Sequence, residues 1–185
     1  NLQAASGSID LRSENNDFTG TVQLSATSAD AAVRDINALN LASIVRNESS
    51  SLGLASATGI TAIAGTTLQL AQEAITKTGA GKVDLRALGG EFQTANTITT
   101  ENGNISITQA SETSTHGITF NHALTSTSGD ITISGRSISN SGAGDLVTGS
   151  SGNIDATATA GGVTHVSGTR YETGTGRIDL DANGN

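Results

Sequence analysis

The chain has 185 residues, a net charge of −8 and no Pro, Cys, Met or Trp. Without cysteine there is neither a disulfide framework nor a thiolate metal site, and nine basic against 17 acidic residues leave no cationic surface for nucleic acid. No apolar run approaches the ~18 residues of a membrane span, no charged-then-apolar start marks a signal peptide, and Asn1 reads as a cut point inside a longer protein.

Gly, Ser, Thr and Asn make up 86 residues, a composition that leans toward disorder. Against it stand 36 Ile, Leu and Val residues in short alternating segments bounded by Gly or Asn, which is a strand signature. In chain order, Gly7-Ser8-Ile9-Asp10-Leu11 and Gly20-Thr21-Val22-Gln23-Leu24 open a motif of Gly, polar, Ile or Val, polar, aliphatic. Two segments offer a helical alternative: 28–45 is Ala-rich, with Ala32, Val33, Ile36 and Leu39 near helical spacing, and 67–78 ends at Gly79, a helix stop. Leu39-Asn40-Leu41 and Leu68-Gln69-Leu70 alternate there as strands, and the flanking repeats favour that reading.

The motif returns at Gly81-Lys82-Val83-Asp84-Leu85, Gly103-Asn104-Ile105-Ser106-Ile107, Gly129-Asp130-Ile131-Thr132-Ile133, Gly152-Asn153-Ile154-Asp155-Ala156 and Gly176-Arg177-Ile178-Asp179-Leu180. Each copy reads as a strand entered through a glycine free to take positive φ. The first aliphatic recurs at 83, 105, 131, 154 and 178, in steps of 22–26 residues. A period of that order marks stacked repeats that bury their apolar face only against one another.

Two further apolar stretches fall inside each period. The second runs Phe92, Ile118-Thr119-Phe120, Ile138 and Val163-Thr164-His165-Val166; the third runs Ile98, Leu124, Leu146-Val147 and Tyr171. Three strands per coil give an all-β parallel β-helix, with residues 1–185 forming one segment of about eight coils. A propeller blade needs about 40–45 residues per repeat, which does not fit. Ile105, Ile131, Ile154 and Ile178 are expected to stack as one interior ladder.

The first half of the chain also resembles a known family. Asn16-Asp17-Phe18-Thr19-Gly20-Thr21-Val22-Gln23-Leu24, Asp35-Ile36-Asn37-Ala38-Leu39-Asn40-Leu41, Gly59-Ile60-Thr61 and Ala74-Ile75-Thr76-Lys77-Thr78-Gly79 look like recurring segments of filamentous-haemagglutinin-like bacterial surface proteins. The likeness spans roughly residues 16–110, and its motifs specify structure rather than chemistry. It implies a right-handed β-helix exported to the cell surface, often by two-partner secretion, that serves in adhesion or as a stalk. Its implied partners are neighbouring coils of the same or an identical chain and a carbohydrate or protein ligand on a host or cell surface.

Chemistry is sparse by comparison, and no catalytic, cofactor or metal residue is assigned. Asp10, Asp84, Asp155 and Asp179 share one outward position of the motif. Asp155, Asp179 and Asp181 offer oxygens to a Ca²⁺ ion, against the plainer reading of a solvated acidic stripe. His116, His122 and His165 lack the i, i+4 spacing of a zinc helix, although His122 and His165 are placed to approach across coils. A polysaccharide-active enzyme would need two carboxylates across a groove. Asp84 with Glu91, or Asp155 with Asp179, are the pairs to consider, with Arg86, Arg136 and Arg170 near a uronate and Tyr171 as the one aromatic platform. Thr97-Ile98-Thr99-Thr100 and Thr157-Ala158-Thr159 hint at an ice-binding threonine array, and a self-assembling extracellular filament subunit is a further alternative. Asn47-Glu48-Ser49 and Asn104-Ile105-Ser106 match a glycosylation acceptor, without weight in a bacterial-looking chain.

Overall fold

A computed structural model describes residues 1–5, 7–26, 29–46, 59–70, 75–77, 79–94, 96–111 and 115–183. Within them the chain forms short strands and no helix, and all of their pairings are parallel. Three columns of stacked strands enclose one apolar interior, giving a parallel β-solenoid.

The first column holds eight strands: Ile9–Leu11, Ala31–Asp35, Ile60–Ala64, Val83–Ala87, Ile105–Gln109, Ile131–Gly135, Ile154–Ala158 and Ile178–Ala182. Ile9, Ala31, Ile60, Val83, Ile105, Ile131, Ile154 and Ile178 lie in register down its inner side. The expected isoleucine ladder is therefore present and extends further toward the N-terminus. The steps run from 22 to 26 residues except from Ala31 to Ile60, where the coil takes 29.

The second and third columns follow the expected order. Phe92, Ile118, Ile138 and Val163 are register partners in one, and Ile98, Leu124, Leu146 and Tyr171 in the other. The long strand Leu39–Arg46 joins the two columns. Its residues 39–41 pair with Leu68–Leu70, while Val45 and Arg46 pair with Thr76 and Lys77. Against the neighbouring strand Val22–Ala26 it carries one extra residue, Ala42, between Leu41 and Ser43, the partners of Val22 and Gln23. Such a bulge bends the strand that holds it. Where they are described, the segments 28–45 and 67–78 hold strands and no helix, because their neighbours on both sides offer parallel edges to pair with.

Alternation does the packing. In Ile105–Gln109 and Ile154–Ala158 every second residue is buried, and each buried Ile or Leu contributes about 1.5–3 kcal/mol. Phe92 and Phe120 meet diagonally across adjacent coils, Phe120 being the register partner of Thr94, with ring centroids 6.1 Å apart. The narrow interior accepts few larger groups, which suits a chain with three Phe and one Tyr.

The motif copy at Gly20-Thr21-Val22-Gln23-Leu24 lies outside the first column; Val22–Ala26 pairs with Leu2–Ala4 and Leu39–Arg46. All three columns share inward alternation, so the motif alone does not say which column a strand joins.

The motif glycines also serve another purpose than positive φ. Only Gly7, Gly59, Gly79 and Gly168 have it among the described glycines. Gly103, Gly129, Gly152 and Gly176 form a corner stack in which a Cβ on each would collide with the carbonyl oxygen of the glycine one coil earlier, Gly81 in the case of Gly103. Backbones close on one another there, and only hydrogen fits between them.

Hydrogen bonds fix these corners from inside and outside. Inside, the buried hydroxyls of Thr100, Ser126 and Thr148 donate to glycine carbonyls, Thr100 to Gly103 at 2.6 Å and Thr148 to Gly152 at 2.7 Å. Outside, each side-chain oxygen accepts the next coil's amide. The Asp130 amide donates to Asn104 Oδ1 at 3.0 Å, the Asn153 amide to Asp130 Oδ1 at 2.8 Å, and the Arg177 amide to Asn153 Oδ1 at 2.9 Å. At the N-terminal end buried Asp35 accepts the amides of Phe18 and Asn37 at 2.6 and 2.7 Å, tying down the loop that follows Leu11.

Candidate functional site

The outward side of the first column gathers most of the residues singled out for chemistry. Strand alternation puts Asp10, Thr61, Asp84, Ser106, Thr132, Asp155 and Asp179 at one level of it, together with Ala32. The stripe is not simply solvated. Asp10 binds Arg12 at 2.6 Å and Asp179 binds Arg177 at 3.1 Å. Asp84 is only 3% exposed, because Lys82 and Arg86 close over it at 3.0 and 2.7 Å. Lys82-Val83-Asp84-Leu85-Arg86 places all three charges on one side of a strand, and that spacing was the available signal for the cluster.

This environment sets the Asp84 carboxyl. Burial alone pushes it up, but hydrogen bonds from Arg86 and Lys82 and the attraction of both charges outweigh that and hold it below the usual carboxylate range. A general acid needs the opposite shift. Glu91 lies beyond the turn at 88–90, leading into the second column, so the pair Asp84 and Glu91 is split between two faces.

A stability consequence follows from the sign of the shift. A carboxyl lowered in the folded state contributes stability above its unfolded value, near 3.9, and loses it as pH falls through the folded value. Asp84→Asn is therefore expected to cost about 1–3 kcal/mol at neutral pH. The gap from the unmodified chain should close in strong acid, as thermal melts at a series of pH values would record.

Asp155 and Asp179 are register partners on adjacent coils, as the spacing implied. Asp181 lies opposite Thr157, and Thr157 donates to Asp155 Oδ1 at 3.3 Å. A shallow hollow of roughly 230 Å³ beside them is lined by Asp130, Thr132, Asn153, Asp155 and Arg177. With Arg177 already on Asp179, the oxygens proposed for Ca²⁺ face a cation supplied by the chain. Among the described residues no three His, Asp or Glu converge as a metal site requires.

The remaining candidates separate. His165 is the register partner of Asn140, itself the partner of Phe120, so His122 and His165 sit two coils apart and do not meet. Tyr171 is not an outward platform. It points inward over Leu146, half-buried, with His165 edge-on at 5.8 Å, and burial pushes its phenol up. Arg86 is held by Asp84 and Arg170 by Glu172 at 2.9 Å. Thr76, Thr99 and Thr125 are in register, but Val147 and Glu172 end the row. Thr100 points inward and is buried. Asn104 spends its side-chain oxygen on the next coil, and Asn47 lies outside the described residues.

Sequence reasoning missed Lys77, which is fully buried beside the Thr100 level. The alternation Ile75-Thr76-Lys77 already assigns it to the inside. It also missed the Asn104, Asp130 and Asn153 ladder, whose signal is the polar residue after each corner glycine.

The architecture defines the class: a parallel β-solenoid with three strands per coil. No family model, curated protein or solved structure matches the chain.

Proposed function

We propose that the chain is a non-catalytic structural segment of a bacterial secreted or cell-surface protein, a stalk or adhesive rod. The observation that carries this reading is the use of the outward polar groups. Asp10, Asp84 and Asp179 neutralise neighbouring cations, and Asn104, Asp130 and Asn153 hold the next coil. These side chains are spent on rigidity along one axis, which is what a spacer needs. The resemblance to filamentous-haemagglutinin-like proteins supports export and adhesion to a carbohydrate or protein ligand. The composition supports neither nucleic acid nor membrane insertion as a partner.

Two measurements test it. Soluble and crystalline polysaccharides should survive prolonged incubation intact, and antibodies to the chain should label intact source cells or the medium. New reducing ends or unsaturated products overturn the non-catalytic part, and labelling only after permeabilisation overturns the location. In the first case Asp155 and Asp179 are the acids to mutate first, since they alone among the candidate pairs stand side by side.

A further inference from the structure

The sequence holds Asn-Gly twice, at Asn102-Gly103 and Asn183-Gly184. The first stands at a corner in the middle of the stack, between the strands Ile98–Thr100 and Ile105–Gln109. A glycine has no Cβ to shield its amide, so the nitrogen after the asparagine is open to that side chain. We propose that Asn102-Gly103 is a self-modification site: the Gly103 amide attacks the Asn102 side chain, ammonia is lost, and the isoaspartyl link that results opens this corner of the solenoid.

The local bonds favour the reaction. Asn102 is exposed. The stack holds Gly103 through its carbonyl, which accepts the hydroxyls of Thr100 and Ser126 at 2.6 and 3.1 Å. Its amide donates to no group among the described residues, whereas the Gly129 amide one coil on donates to Ser126 Oγ at 2.8 Å. Ser128 of that next coil donates to Asn102 Oδ1 at 3.0 Å. That bond draws electron density from Cγ and stands where negative charge develops as the nitrogen adds, which makes Ser128 a positioning residue.

The step balances with water alone. The Gly103 nitrogen gives its proton to hydroxide and bonds to Asn102 Cγ. The Cγ–Nδ2 bond breaks, and ammonia departs with a proton from water. Water then opens the succinimide at one of its two carbonyls. Opening at the former side-chain carbonyl gives aspartate; opening at the former main-chain carbonyl gives isoaspartate, in which the chain runs through Cβ and Cγ.

The longer chain has no room at this corner. A carbon on Gly103 would strike the Gly81 carbonyl, and one on Gly129 would strike the Gly103 carbonyl. The corner therefore moves outward and gives up the bonds from Thr100 and Ser126. It also sets a new carboxylate beside Glu101, whose own carboxylate accepts the Gly79 amide at 3.0 Å. The change is one-way, and it loosens a rod that is otherwise tied from coil to coil.

The test incubates the folded 185-residue chain at mildly alkaline pH. Peptide maps by mass spectrometry, with fragmentation that separates aspartyl from isoaspartyl products, follow Asn102 with Asn183 as a reference in the same molecule. Conversion at Asn102 should rise with hydroxide and give mainly isoaspartate. The isoaspartyl chain should melt below Asn102→Asp, which has the charge without the extra chain atom. Ser128→Ala should slow conversion at Asn102 several-fold and leave Asn183 unchanged, and Ser128→Thr should restore the rate. Asn102→Gln, whose longer side chain closes a ring far more slowly, should keep its melting temperature through the incubation. Asn102 intact after Asn183 has fully converted overturns the proposal, as does an isoaspartyl chain that melts with the unmodified one. A rate that Ser128→Ala leaves unchanged overturns the role of Ser128.

Discussion

Ile131→Asp should prevent folding, while Ile178→Asp in the same ladder should leave the monomer's thermal melt close to that of the unmodified chain. Both residues are on the inward side of the first column, and Ile131 is the register partner of Ile105 and Ile154. Ile131 is completely buried and Ile178 is not. A carboxylate at 131 has no cation to meet inside the stack, and removing one buried ion from water without a partner costs several kcal/mol. Marginal stabilities of about 5–15 kcal/mol do not absorb that together with the lost isoleucine. At 178 the carboxylate reaches solvent. Circular dichroism melts of the two variants side by side check the assignment, and equal melting temperatures would mean that the register is wrong.

The second large effect concerns the corners. Gly103→Ala should destabilise the chain by about 1–3 kcal/mol or more, in the range of overpacked cores. Its added carbon would strike the Gly81 carbonyl, which is backbone and has no rotamer in which to escape. Gly20→Ala is the control: a Cβ there has nothing within 4 Å and φ is not positive. It should be neutral or slightly stabilising, because alanine restricts the unfolded chain. Denaturant titrations of both variants distinguish a steric requirement at the corner from a general intolerance of alanine.

Most of the architecture was legible because a solenoid writes its geometry into the sequence once per coil. The steps from Val83 to Ile178 and the second and third strands of those coils could be placed from alternation and turn residues alone. Ala31–Asp35 was not legible as a first-column strand, since it opens on Ala-Ala-Val and follows Asp30 rather than the glycine-led motif. Val22–Ala26 was not legible as a third-column strand, because its glycine-led alternation satisfies any of the three. The outward chemistry was less legible still. Asp84 looks like Asp155 and Asp179 in the motif, yet only Asp84 has Lys and Arg two residues away on either side, and burial follows from those neighbours. Tyr171 looked like a platform because aromatic type says nothing about which side of a strand faces in.

The side-chain ties between coils have a consequence for how the molecule comes apart. In a stack of this kind each coil touches only the coils before and after it, so cohesion is a sum of nearest-neighbour terms along one dimension. The first coils carry extra ties: Phe18 and Asn37 on the Asp35 carboxylate, and Arg34 on Glu14 at 2.7 Å. The later coils carry the bonds of Asn104, Asp130 and Asn153 to the next coil's amide. Opening one internal coil then breaks the ties on both of its faces, so neighbouring coils should open together. Amide exchange would show the strands from Ile105 to Ile154 exchanging at a common rate, and pulling would release length in steps of more than one coil.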